Sequence, residues 1–200
     1  MGKARIAFRF GHYGDCYHGS QVQPDVPTVQ GEFMHIFKKK LKWTKERMPV
    51  PMASRTDSGV HVRQNGGFID IDQNRWDAMG EEGFMKAVGH QIPDSITLID
   101  AMQVDGEWSP RRALHRTYRY RLECMEGWVD PDPEEFEHLC SLFEGEHEWD
   151  NFCRRETNRS TTRVVESCRP WINSGRIVGF EIVGEAFIWN QVRRIANAIF

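Results

Sequence analysis

His115-Arg116-Thr117-Tyr118-Arg119-Tyr120-Arg121-Leu122 is where this chain starts its structural pattern a second time. Period-two alternation puts Tyr118 and Tyr120 on one face of a strand, and Arg119 and Arg121 on the other. After it, Asp132-Pro133-Glu134-Glu135 combines an Asp cap, Pro at the first helical position and Glu just behind it. Phe136, Leu139, Cys140 and Phe143 then recur at helical spacing. Arg163 to Ile172 and Ile177 to Val183 read as strands joined by the hairpin signal Asn173-Ser174-Gly175. From Trp189 onward, Val192, Ile195, Ala196 and Ile199 mark another amphipathic helix.

The first half carries the same order. Lys3 to Phe10 alternates Ile6, Phe8 and Phe10 with Lys3, Arg5 and Arg9, as a strand does. A turn from Gly11 to Ser20 follows, and Thr28 caps a helix with Val29, Phe33, Ile36, Phe37 and Leu41 on one face. Lys38-Lys39-Lys40 suits the cationic C-terminal half of that helix. A short strand is expected before Arg55 and another from Gly67 to Ile71. A second helix spans roughly Asn74 to Gln91 around Trp76, Met79, Met85 and Val88, and Pro93-Asp94-Ser95 turns into a strand from Ile96 to Val104. This order predicts an α+β protein of two ferredoxin-like (βαββαβ) halves, residues 1–105 and 106–200, the second lacking its last strand.

Composition narrows the function classes. Two hundred residues suffice for a sizeable core, and 40% hydrophobic with 28% charged residues is ordinary for a globular protein. Met1 to Phe10 has no uninterrupted apolar run, and no later run could span a bilayer, so a cytoplasmic protein with no membrane partner is expected. Five scattered cysteines without a C-x-x-C pair argue against a disulfide framework and against a zinc site. No nucleotide-binding glycine fingerprint is present.

The net charge of −3 speaks against a nucleic-acid partner, but the charges are segregated. Arg111, Arg112, Arg116, Arg119 and Arg121 cluster with His115; Arg154, Arg155, Arg159 and Arg163 form a second group, and Arg193-Arg194 a third. Between Leu122 and Cys153 there is no Lys or Arg at all. Such a distribution lets an acidic protein present a basic cleft to phosphate. Charge groups taken singly are usually solvated faces, and a tyrosine such as Tyr118 taken singly is commonly a core residue with its hydroxyl bonded, though above a basic cleft it can stack on a base.

The chemistry concentrates in Ser54-Arg55-Thr56-Asp57-Ser58-Gly59-Val60-His61. Gly59 permits a sharp reversal, and Arg55 lies close enough in sequence to favour the ionised form of Asp57. On this segment alone, an Asp that merely bonds its own turn is as good a reading as a catalytic carboxylate.

Taken together, Tyr17-His18-Gly19-Ser20-Gln21, Thr28-Val29-Gln30-Gly31, Arg55-Thr56-Asp57-Ser58-Gly59-Val60-His61, Tyr118-Arg119-Tyr120 and Asn190-Gln191-Val192-Arg193 occur in an order that resembles the TruA family of tRNA pseudouridine synthases. The resemblance implies a pseudouridine-synthase-type antiparallel sheet flanked by helices. It also implies conversion of uridine to pseudouridine in the tRNA anticodon stem-loop, typically at tRNA positions 38 to 40, with no metal and no organic cofactor. By motif match, Asp57 is the catalytic carboxylate, Arg55 its neighbour, Tyr118 the base-stacking tyrosine and Arg193 the arginine paired with the carboxylate. Arg111, Arg112, Arg116, Arg119, Arg154, Arg155, Arg194 and His61 are the expected RNA-binding residues. The expected partners are tRNA and a second copy of the chain in a homodimer.

Ser54 stands where many members have Gly, and Ser20 where Trp is frequent. Members continue past the helix holding Arg193 to a further strand, so a truncated form of a longer enzyme is expected. Two rival readings remain: a homodimeric aspartic protease built on Asp57-Ser58-Gly59, and a non-catalytic RNA-binding module. The first sits poorly with Arg55 beside the carboxylate; the second leaves Arg55-Thr56-Asp57 idle.

Overall fold

A computed structural model describes residues 2–44, 50–154 and 160–200. They form two compact units, Met1–Arg112 and Ala113–Phe200. Each holds one antiparallel sheet with helices packed on it, as the α+β reading expects.

In the first unit β1 (Lys3–His12) is the middle strand of a sheet ordered β2-β1-β3, with β2 at Val62–Asp72 and β3 at Ile96–Val104. The register sets Ile6 opposite Ile69 and Phe8 opposite Gly67. Helix α1 (Val29–His35) is capped by the Thr28 hydroxyl, which accepts from Gly31 N at 3.2 Å. It runs on into a π turn, Ile36–Lys40, that carries the lysine run. Helix α2 (Gln73–Gly89) follows β2 directly, with Asp72 as its cap. Phe8 and Phe10 of β1 meet Phe33 at 5.1 and 4.8 Å between ring centroids, and Phe8 meets Phe84 of α2 at 6.1 Å. These aromatics anchor the core and explain why the apolar set of β1 points to the helices. Its odd positions face away, where Arg5 binds Asp70 through two nitrogens at 2.8 and 2.9 Å and Arg9 pairs with Asp100.

The strand expected before Arg55 shrinks to a single bridge between Met52 and Gly67, and β2 is longer than expected, starting at Val62. The reason is local: at Ser54 a side chain of β2, Asn65, takes over the bonding that a strand would have made.

The second unit orders its sheet β4-β7-β6-β5, with β4 at Arg116–Arg121, β5 at Gly145–Glu148, β6 at Thr162–Asn173 and β7 at Arg176–Gly184. Helices α3 (Pro133–Ser141) and α4 (Gln191–Ile199) supply Phe136, Cys140, Ile195, Ala196 and Ile199 to a core that includes Phe180 and Ile182. Asp132 caps α3 as expected, accepting from Glu134 N and Glu135 N at 3.0 Å each. β5 was not expected; its four residues are all exposed, and only backbone pairing with β6 makes them a strand.

Cys140, Cys153 and Cys168 are buried and unpaired, and Cys16 and Cys124 are exposed. A hydrogen bond from Cys140, with burial added, holds the Cys168 thiol far above its ordinary value, so it stays protonated. No helix among the described residues is long and apolar enough to cross a membrane.

Candidate active site

Asp57 is exposed on the loop between the Met52 bridge and β2. Its carbonyl accepts from Val60 N at 3.3 Å, closing a turn in which Gly59 adopts φ 79°. That is the reversal for which glycine is suited. Arg55 is exposed on the same loop.

The loop is held at both sides of Arg55. On one side, Ser54 N donates to Asn65 Oδ1 at 3.2 Å, and Asn65 Nδ2 donates to Ser54 O at 2.9 Å. On the other, Thr56 N donates to Ser20 Oγ at 2.8 Å, and Ser20 N donates to Thr56 O at 3.0 Å. Asn65 and Ser20 are 5% and 2% exposed, so solvent does not compete for these bonds.

Beyond Asp57 the loop rests on the segment that follows β1. Gly14 N donates to His61 Nδ1 at 3.3 Å, and His61 Nε2 lies 3.5 Å from Asp15 Oδ1. His12 lies buried beneath, stacked on Phe10 at 6.2 Å and edge-on to Tyr17 at 5.9 Å. Burial lowers its pKa, with His61 adding repulsion and a hydrogen bond to the Val60 backbone opposing both. The Tyr17 hydroxyl shares a hydrogen bond with Ser95 Oγ at 2.8 Å, and burial raises its pKa against that bond. Asp57 is therefore an exposed carboxylate on a loop whose neighbouring peptides are fixed by buried groups, the arrangement a reacting carboxylate requires.

In the second unit, Tyr118 lies half-buried on β4 opposite Ile182, its ring edge-on to Phe187 at 5.2 Å. Arg193 is exposed in the first turn of α4, whose preceding residue Asn190 has left-handed backbone at φ 66° and gives no side-chain cap. Gln191 instead folds back, its Oε1 accepting from Ile188 N at 2.9 Å.

The family described as tRNA pseudouridine synthase matches residues 139–200. Along nearly the whole chain the likeness extends to tRNA pseudouridine synthase A of Methanopyrus kandleri, 32% identical over 197 residues, covering 98% of this chain and 70% of that protein. The chain belongs to the tRNA pseudouridine synthase A family. It is also 32% identical to the proteins of that name in Thermococcus gammatolerans and Archaeoglobus fulgidus, covering 98% of this chain and 70% and 68% of theirs. Family membership makes the chain an isomerase and sets aside both the protease and the bare RNA-binding module.

The expected basic residues of this family member divide by what they touch. Arg111 and Arg112 are exposed in a short 3-10 turn, Pro110–Arg112. Arg116 donates to the carbonyl of Glu185, which ties β4 to the end of β7. Arg119 pairs with Glu181 at 2.7 Å, and with Arg121 it flanks the Trp171 ring at 5.6 and 4.9 Å. Arg154 stacks on Trp189 at 4.1 Å, and Arg194 donates to Asn151 O at 3.1 Å. Arg155 lies outside the described residues. Among the described residues no group of three His, Cys, Asp or Glu could hold a metal ion.

Sequence reading missed Asn65, His12 and the bonding role of Ser20. Asn65 carried one faint signal: an amide flanked by Gln64 and two glycines sits badly in a strand that continues into Phe68, Ile69 and Ile71.

Proposed function

We propose that this chain isomerises uridine to pseudouridine in the anticodon stem-loop of tRNA, with Asp57 as the catalytic carboxylate. Family membership supports the reaction class, and the observation that carries the assignment is the exposed Asp57 on a loop pinned at Ser54 and Thr56. In the reaction the bond between C1′ and N1 of the uridine breaks and one between C1′ and C5 forms. The C5 proton is lost and N1 gains one, so no oxidant or co-substrate enters. A carboxylate serves by attacking or stabilising the detached sugar or base, and the base must leave its stack to reach it.

Arg55 and Arg193 supply the positive charge an ionised Asp57 needs in a water-poor site. Tyr118 stacks on the flipped base. The exposed arginines Arg111, Arg112, Arg154 and Arg194 meet backbone phosphate, with Arg119, Arg155 and His61 in supporting contact. The enzyme works in the cytoplasm as a homodimer that shares each tRNA between its subunits.

The test is pseudouridine mapping of an unmodified tRNA transcript after incubation with the chain and with Asp57→Asn, which keeps the shape of the side chain and removes its charge. Turnover should vanish in the variant while tRNA affinity stays similar. Appreciable pseudouridine from Asp57→Asn removes Asp57 from the chemistry.

A further inference from the structure

Ser20 lies 36 residues from Thr56 in sequence, yet it binds that residue from both sides. Its Oγ accepts the Thr56 N–H at 2.8 Å, and its own N–H is donated to the Thr56 carbonyl at 3.0 Å. The Thr56 carbonyl belongs to the peptide bond whose nitrogen is that of Asp57. One residue thus orients the peptide planes before and after Thr56, and with them the direction in which the Asp57 Cα presents its carboxylate.

Ser20 is itself anchored. Its carbonyl accepts from Gln30 N at 2.9 Å, and the Gly19 carbonyl accepts from Val29 N at 3.4 Å. Both amides belong to the first turn of α1, whose Phe33 is fully buried against Phe8 and Phe10. A rigid path therefore runs from the aromatic core through α1 and Ser20 to the residue before Asp57. Thr56 has no comparable hold of its own: its Oγ1 is buried without a hydrogen-bond partner among the described residues. Asn65 holds Ser54 on the far side of Arg55, whereas Ser20 holds the residue immediately before Asp57.

We propose that Ser20 is a positioning residue for Asp57, and that its hydroxyl sets the rate of the chemical step without touching tRNA. At 2% exposure Ser20 has no surface to offer a substrate. The inference rests on Asp57 being the reacting carboxylate. A displacement of about 1 Å at a reacting group can cost on the order of a hundredfold in rate.

The experiment compares the full chain with Ser20→Ala, Ser20→Thr and Asp57→Asn on an unmodified tRNA transcript, with backbone amide exchange measured on the tRNA-free proteins. Ser20→Ala should lower kcat by about ten- to a hundredfold with KM for tRNA within about twofold. Amide exchange at Thr56 should quicken while exchange in α1 and β1 stays slow. Ser20→Thr, which keeps the hydroxyl, should recover most of the lost kcat. An inactive Asp57→Asn beside a Ser20→Ala variant of unchanged kcat overturns this inference and leaves the catalytic assignment standing. A rise in KM at constant kcat for Ser20→Ala likewise overturns it, since that marks a binding contact. Turnover by Asp57→Asn overturns the assignment on which the inference depends.

Discussion

Asn65 grips Ser54 as a neighbouring strand would, donating to its carbonyl at 2.9 Å and accepting from its amide at 3.2 Å through one side chain. The same Oδ1 also accepts from Gly66 N at 2.9 Å. A side-chain amide thereby ends the ladder that Met52 begins with Gly67, and releases the chain into the loop that carries Asp57.

Asn65→Ala leaves the half-buried Ser54 N–H and carbonyl without these partners. It should cost roughly 1–3 kcal/mol of stability by urea unfolding. The variant should also quicken amide exchange at Ser54 and lose turnover more than the stability change alone accounts for. Wild-type stability and activity in Asn65→Ala would rule out the bracing role.

His12 gives stability a pH dependence whose sign follows from its burial. Desolvation, with His61 adding to it, depresses the imidazole pKa below the ordinary 6.5, so the folded protein prefers the neutral ring. The unfolded chain binds the proton more readily, so the contribution is present above about pH 6.5 and is lost as pH falls through the lower folded value. Unfolding free energy measured between about pH 7.5 and pH 5 should fall more steeply in the wild type than in His12→Gln. Parallel profiles would show that His12 titrates alike in both states.

Tyr118→Phe keeps the ring that meets Phe187 edge-on at 5.2 Å. Stacking on a base needs only that ring, so tRNA affinity should remain within about twofold. If the hydroxyl takes part in the proton movements of the isomerisation, turnover falls by about tenfold or more. Full turnover in Tyr118→Phe limits the residue to stacking.

Arg154 and Arg116 should separate phosphate binding from architecture. Arg154 is exposed and stacked on Trp189, so Arg154→Ala should weaken tRNA binding and reduce the slope of log affinity against log salt by about one unit. Arg116 holds the Glu185 carbonyl, so Arg116→Ala should lower the melting temperature as well. An unchanged salt slope in Arg154→Ala removes that residue from the RNA contact.

What the sequence determined by itself was the set of elements whose cause is local. Alternation wrote β1 and β4, the Thr28 and Asp132 caps started α1 and α3, and Asn173-Ser174-Gly175 turned β6 into β7. The turn around Asp57 was equally legible, because a carboxylate beside Gly59 and an arginine is a statement about neighbours in the chain. Tertiary structure decided the rest. β5 has no apolar alternation, and exists because the backbone of β6 offers it a ladder. Arg119 reads in sequence as a phosphate ligand, and folding gives it Glu181 and Trp171. The bonds that fix Asp57 join it to Ser20 and Asn65 by way of Thr56 and Ser54, and no local preference draws those residues together. Hydrogen bonds of that kind form only after the core has brought distant segments within about 3 Å, so periodicity and propensity carry no trace of them.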